Sequence, residues 1–374
     1  MRGGELKRLS RSRLLPTLAV LPLALVLIAS SGPINEEGQF DAYLTNAGAQ
    51  CSIVQATERV SQLTGPESPS QTAERWNVFG TDLGIGFEQD DVTYMAFGDT
   101  WGRAGTEQED WRSNTLAVVE PDPTHGYVIT EMVTGDNGEA IELLPSVKQS
   151  GIEYTVNPTA AIAVGDRLYM HYMSVNDWDL QWWGYKYPIV NGAGLAYSDD
   201  GGRTWTLDEQ ARWQGDTPFT QAAMVEDDGY VYIFGTPAGR FGAAHLLRVE
   251  DEHLLEPEHY EYWAGDDWND SPAELAVLIP WPVGELSVQW SEYLDRWLMM
   301  YKNEVHHTIV LRTAEQLEGP WSEEQAVVTG AEYPSLYAPY MLPEIDGPEV
   351  YFTRSTFEDA YQVFVMRTTL GRCE

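Results

Sequence analysis

Two carboxylates set beside glycines are the residues of this 374-residue chain best equipped for chemistry. Asp82 stands in Val78-Phe79-Gly80-Thr81-Asp82-Leu83-Gly84, and Asp99 stands in Phe97-Gly98-Asp99-Thr100-Trp101-Gly102. An acid among apolar strand positions is costly to bury unless something requires it there. Paired carboxyl groups suit cleavage of a glycosidic bond. One protonates the leaving oxygen, and the other activates water or attacks the anomeric carbon. As isolated Asp and Gly residues both stretches would read as turns. The recurrence of the pattern around Asp82 argues for more.

Five segments share one form, an acidic or glycine turn followed by an aromatic-rich strand and a polar exit. They are Val92–Trp101, Arg167–Asn176, Tyr230–Ala238, Arg296–Glu304 and Glu349–Thr356. Each is followed by a further strand, near Asn114–Val119, Gly194–Ser198, Ala244–Val249, Thr308–Thr313 and Tyr361–Thr368. The segments start about 50 to 75 residues apart, enough for one four-stranded sheet each, and no long helical period appears after Arg75. The pattern predicts an all-β fold, a five-bladed β-propeller spanning 51–374. Stepping back twelve residues from the aromatic position of each segment leads from Tyr94 to Asp82, from Tyr169 to Asn157 and from Trp297 to Glu285. The same step from Tyr232 and Tyr351 reaches Thr220 and Pro339, next to Gln221 and Tyr340. Equivalent inner-strand positions converge on a propeller axis, so Asp82, Asn157, Gln221, Glu285 and Tyr340 are expected to line one funnel.

Aromatic residues clustered in polar loops, among them Trp101, Trp111, Trp178, Trp182, Trp183, Tyr185 and Tyr187, suit stacking on the C–H faces of sugars. Ser198-Asp199-Asp200-Gly201-Gly202-Arg203-Thr204-Trp205 reads as an Asp-box hairpin, a structural turn that recurs in sugar-handling propellers. His306 and His307 are adjacent, a spacing that on a strand sends them to opposite faces, so no metal site is expected of them. No cofactor-binding loop and no Ser/His/Asp motif is present, and neither cofactor nor metal is expected.

The chain opens with Arg2, Lys7, Arg8, Arg11 and Arg13, an apolar run from Leu14 to Ile28, and Ala29-Ser30-Ser31. Residues 1–31 read as a secretion signal, with an uncleaved anchor as the alternative. The run is short for a membrane span and holds Pro16 and Pro22, so no stable membrane insertion is expected after cleavage. Residues 32–50 read as a flexible leader, and 51–75 as a short apolar patch and a loop. The net charge of −36 disfavours nucleic acid and anionic lipid as partners. The two cysteines, Cys51 and Cys373, suggest one disulfide in an exported chain, two buried thiols being the alternative.

Several stretches in combination resemble the domain of unknown function 4185. They are Thr64-Gly65-Pro66, Trp76 through Gly84, Phe97 through Trp101 and Trp111-Arg112-Ser113-Asn114. Ala196 through Gly202, Gly235 through Gly242 and Pro282 through Val288 add to the match, which covers about Cys51 to the C-terminus. Members of that family assigned to glycoside hydrolase family 183 are endo-D-arabinanases on a five-bladed propeller. The resemblance therefore implies a secreted glycosidase acting on the D-arabinan of cell-wall arabinogalactan and lipoarabinomannan. Asp82 and Asp99 would be its catalytic pair. Trp101, Arg112, Asn114, Asn157, Gln221, Glu285 and Tyr340 are the expected substrate contacts, the cell-wall polysaccharide the expected partner, and a monomer the expected state. A non-catalytic wall-binding propeller is the competing class. A sialidase-like enzyme is disfavoured because no convergent arginine triplet is evident, Arg103, Arg112 and Arg240 being the available candidates.

If Cys51 and Cys373 are paired, thiol labelling of the unfolded, unreduced mature protein will find no free cysteine. Reduction should then lower stability by about 2 to 4 kcal/mol in a chemical melt. Two labelled thiols would contradict the pairing.

Overall fold

Among the described residues, short aromatic and β-branched runs, cut by glycine and aspartate turns, fold as five antiparallel blade sheets and one two-stranded ribbon, Thr100–Trp101 with Trp111–Arg112. The computed structural model describes residues 52–103, 110–182, 185–343, 347–357 and 360–372. The leader, Cys51 and Cys373 lie outside them.

Blade I runs outward from Leu83–Gln89 through Val92–Phe97 and Thr115–Asp122 to Gly126–Met132. Blade II runs from Thr155–Val164 through Arg167–Trp182 and Tyr185–Ser198 to Thr206–Gln214. Blade III begins with Gln221–Asp227, Tyr230–Thr236 and Gly242–Glu250. Its outer edge carries the short strands Glu261–Trp263, Trp268–Asn269 and Ile279–Val283. Blade IV runs from Leu286–Ser291 through Arg296–Asn303 and Thr308–Ala314 to Gln325–Thr329. Blade V takes Tyr337–Met341, Glu349–Thr356 and Gln362–Leu370 from the end of the chain, and its fourth strand, Val54–Gln62, from the beginning.

The second strand of each blade shows little of the alternation of a half-exposed strand. Leu298, Met299, Met300 and Tyr301 are consecutive and fully buried, as are Val231, Ile233 and Phe234 nearby. A blade is covered on both faces by its neighbours, so its middle strands are apolar on both sides. Each of the five apolar clusters accordingly spans a seam between blades; Phe234 and Leu246 of blade III pack with Met299 and Tyr301 of blade IV, for example.

Inner strands touch in the cyclic order I, II, III, IV, V and back to I, which closes the ring around an axial cavity of about 250 Å³. Ile85, Phe87, Ala161, Val225 and Val288 are among its walls. Val54–Gln62 pairs with Gln362–Leu370, joining the two ends of the chain within one sheet. In sequence, 51–75 shows a short apolar patch and a loop rather than a strand, because Gln55, Glu58 and Arg59 interrupt any apolar alternation there. The structure makes it an outer strand whose side chains are exposed or half-buried. The only α-helix among the described residues is Thr72–Trp76. His306 and His307 lie in the turn between Arg296–Asn303 and Thr308–Ala314, so strand geometry does not govern them.

Leu63 follows the closing strand, is fully buried and packs in the cluster of Trp76, Val78, Phe97 and Val363. Leu63→Ala should reduce unfolding free energy by about 2 to 5 kcal/mol in urea titration. A loss below about 0.5 kcal/mol would show that this contact does little to hold the seam.

Candidate functional site

The inner strands all leave the same end of the ring, and the residues at their starts meet there. Irregular backbone aims them. The register shifts between Leu83 and Ile85, between Pro158 and Ala160, and between Tyr337 and Tyr340. Such bulges redirect side chains at the end of a strand. Leu83 has φ 70° and Ala338 φ 50°, left-handed conformations that side chains disfavour. Both sit next to a site residue, where such strain tends to be held.

Asp82 is buried. Its Oδ2 accepts a 2.8 Å hydrogen bond from the Tyr337 hydroxyl, while Oδ1 has no partner among the described residues. Gly98 is required beside it, because a Cβ there would stand 2.4 Å from Asp82 Oδ1. Burial is the largest cause of a pKa held well above the ordinary 3.8, and the charge of Asp99 adds to it. The Tyr337 hydrogen bond opposes the rise, Glu285 adds a smaller increase, and Arg240 opposes it in turn. Crowded carboxyls in a desolvated site disfavour ionisation, and Asp82 is raised on that account.

Asp99, also buried, receives the Trp111 indole N–H at 3.0 Å on Oδ1. Thr155 Oγ1 lies 2.6 Å from the same oxygen and 2.9 Å from Asn157 Oδ1, its single hydrogen serving one at a time. Trp101 is half-buried, stacks on Tyr361 at 4.6 Å and runs nearly parallel to Trp111, giving an aromatic wall beside Asp99.

Across the mouth, Glu285 Oε1 accepts a 2.8 Å hydrogen bond from Arg240 Nε, while Oε2 has no partner among the described residues. Arg240 lies 4.8 Å from the ring centroid of Tyr337, the donor to Asp82, and Glu304 stands 4.0 Å from its Nε. Lys302 is buried close by, and burial pulls its pKa down to about 8, with Glu304 and Glu285 partly offsetting the pull and Arg240 adding to it. Tyr340 is buried with a raised pKa caused by burial first, then by Glu285 and Asp82. Gln221 starts the inner strand of blade III, buried, and its Oε1 has no partner.

The five positions thus all fall on or beside inner strands, Asp82, Gln221 and Glu285 at their starts and Asn157 and Tyr340 a few residues in, and Asp82 feels the charges of Asp99 and Glu285, as Tyr340 feels those of Glu285 and Asp82. Two of the expected substrate contacts are committed elsewhere. Asn114 is fully buried, its amide donating to Leu144 O and Val156 O, and its Oδ1 accepting from Leu143 N and Leu144 N. That fills its hydrogen-bonding capacity. Arg112 donates to Ala140 O and Asn77 O and is buried against Asp110. Both pin the loop that carries Trp111. Trp183 and the side chains of Trp182 and Tyr185 lie outside the described residues. Tyr337, Arg240 and Thr155 were not among the expected contacts. Tyr337 was missed because the bulge shifts it into the site three residues ahead of Tyr340. Arg240 carries a signal in hindsight, a lone arginine in the glycine-rich loop Gly239–Gly242.

The turn read as an Asp box is tightly bonded. Asp200 accepts from Thr204 N at 2.9 Å and Thr204 Oγ1 at 2.6 Å, and Trp205 Nε1 donates to Gly202 O at 2.9 Å. It lies between the outer strands of blade II, away from the mouth.

The linkage sign for Asp82 follows from its raised pKa. Below the unfolded value, near 3.8, the carboxyl is neutral in both states and costs nothing. Above it the unfolded chain ionises while the folded site resists, so native stability falls until pH passes the folded pKa. Asp82→Asn should therefore melt at the same temperature as the parent near pH 4 and at a progressively higher one toward pH 8. A difference that is flat with pH, or that shrinks as pH rises, would contradict the raised pKa.

A family model described as "Domain of unknown function (DUF4185)" matches residues 67–367. Notoamide biosynthesis cluster protein J' of Aspergillus versicolor is 30% identical over 299 residues, covering 73% of this chain and 79% of that protein. Notoamide biosynthesis cluster protein J of Aspergillus sp. (strain MF297-2) is 28% identical over 285 residues, covering 69% and 73%. Among solved structures, a family 117 glycoside hydrolase of the marine bacterium Zobellia galactanivorans superimposes with TM-score 0.51 at 12% identity, over 85% of this chain and 91% of that one. The exo-beta-1,3-galactanase of Phanerochaete chrysosporium gives TM-score 0.52 at 9% identity, over 83% and 64%. At such identity these structures speak to the fold alone.

Proposed function

The chain belongs to the DUF4185 family, and from that premise we propose that it is a glycoside hydrolase whose general acid is Asp82. One observation carries the reading. Asp82 is a buried carboxyl whose pKa is raised by burial and by Asp99 and Glu285, with Oδ1 unpartnered among the described residues. A carboxylic acid kept protonated beside an ionised carboxylate is the asymmetry that glycosidic cleavage requires. In the proposed reaction Asp82 gives its proton to the leaving glycosidic oxygen. Asp99, held by the Trp111 indole, acts as the nucleophile or as the base that activates water. Glu285 balances Arg240 and keeps negative charge near the developing oxocarbenium.

The rest of the mouth suits a saccharide. Among the described residues Glu285 Oε2 and Gln221 Oε1 are buried acceptors without partners, which hydroxyl donors would satisfy, while protonated Asp82 Oδ1 is left to donate. The Trp101 and Trp111 rings offer a flat wall to a sugar face. The proposed substrate is cell-wall D-arabinan. It rests on the motif resemblance to glycoside hydrolase family 183, and secretion of the chain through residues 1–31 belongs to the same proposal.

The test is reducing-end release from purified arabinogalactan and lipoarabinomannan. Asp82→Asn and Asp99→Asn, each confirmed folded by circular dichroism, should lose activity by at least about 100-fold. Because Asp82 must carry its proton, wild-type kcat/KM should fall as pH rises through the Asp82 pKa. Near-wild-type activity in either folded variant would remove that residue from the mechanism. No release from any wall polysaccharide would favour a non-catalytic binder.

A further inference from the structure

A second cavity of about 430 Å³ opens at the seam of blades III and IV. Asp227, one of its lining residues, ends the strand that Gln221 begins. Six steps of about 3.3 Å put it about 20 Å from the mouth, on the opposite face of the ring. Tyr232, Trp263, Trp268 and Trp297 form its aromatic walls. Trp263 and Trp268, both half-buried, lie 5.3 Å apart at 57°, and the buried Tyr232 meets Trp268 edge-on at 5.9 Å. Asp227 and Glu318 line the cavity and form no ion pair among the described residues. A further lining acid, Glu315, is paired with Arg296 at 3.0 Å.

Among the described residues no basic side chain lines this cavity. The chain already places a cation on the same aromatic wall from outside it. The Arg248 guanidinium sits 4.2 Å from the Trp268 ring centroid, its charge matched by Glu261 at 2.7 Å. Asp227 is exposed at the cavity beside Asp228, a crowding of negative charge that a bound cation would relieve. Aromatic faces attract a desolvated cation through the ring quadrupole, and unpaired carboxylates add Coulomb attraction. We propose that this pocket binds small organic cations of the alkylammonium class.

The probe is choline, compared with its neutral isostere 3,3-dimethyl-1-butanol and with D-glucose as a plain polyol, followed by calorimetry and tryptophan fluorescence on the full mature chain at pH 7.5. Choline should bind at least about 10-fold more tightly than the isostere. Glu318→Gln and Asp227→Asn, which preserve side-chain shape, should each weaken choline by about 3-fold or more and leave the isostere unchanged. Trp263→Leu should weaken both. Arabinan hydrolysis should be unaffected by all three substitutions, so failure of the pocket and failure of the proposed hydrolase are read separately. Equal binding of choline and isostere, tighter binding of glucose, or no binding of choline to the wild type would each overturn the proposal.

Discussion

Everything at the mouth depends on closure of the ring between blades V and I. Each blade buries both faces of its middle strands only while it has a neighbour on each side, so an open ring would expose one apolar face at each end. The seam is accordingly bonded along its length. Leu83 N donates to Ser355 Oγ, Thr353 Oγ1 to Gly84 O, Thr81 N to Tyr361 O, and Gln362 Nε2 to Phe79 O. Gly84, at φ 89°, is needed there, since a Cβ would approach Val363 Cγ1 to 3.0 Å and Thr353 Cγ2 to 3.2 Å. The hydrogen bond from Tyr337 to Asp82 crosses the same seam, linking residues 255 apart in the chain. The site is assembled by the contact that closes the fold, so loosening one should loosen the other.

The mouth is also where the structure departs from the rules that hold elsewhere in it. Asp82, Asp99, Glu285 and Glu304 are buried carboxyl groups in one region, against Arg240 and Lys302. Arg240 pairs with Glu285 and stands over Tyr337, so one guanidinium faces both halves of the cluster. Such an arrangement does not serve stability, because a buried acid deprived of solvent weakens the native state once pH exceeds its unfolded pKa. Strained backbone at Leu83 and Ala338 adds to the cost at the same place. Proteins keep such features where a ligand or a reaction uses them, which is the physical ground for placing function at this end of the axis.

Much of this was legible in the sequence because it repeats. The second strands carry aromatic and β-branched runs that recur in all five blades, and their counterparts in the structure begin within a residue of the expected positions. Glu285 and Asn157 were found by spacing alone, since a propeller makes equal spacing mean equal place. The unread parts lack that periodicity. Val54–Gln62 is an outer strand with Glu58 and Arg59 in it, so composition disguises it, and only pairing with Gln362–Leu370 defines it. Tyr337 enters through a bulge, which shifts register without a mark in local composition. Asn114 and Arg112 look like ligand contacts in sequence because they are polar residues near aromatics. Their use as clamps depends on carbonyls of residues about 28 to 42 positions away.

The central claim is that Asp82 holds a proton under conditions in which an ordinary aspartate does not. The most direct measurement is the titration of its carboxyl carbon by NMR in protein labelled with carbon-13 at aspartate, the resonance being assigned by its disappearance in Asp82→Asn. The Asp82 carboxyl should titrate well above 3.8 in the folded protein, and Asp99→Asn should lower that midpoint by removing the neighbouring charge. A midpoint at or below 3.8, or one that Asp99→Asn leaves unchanged, would contradict the account.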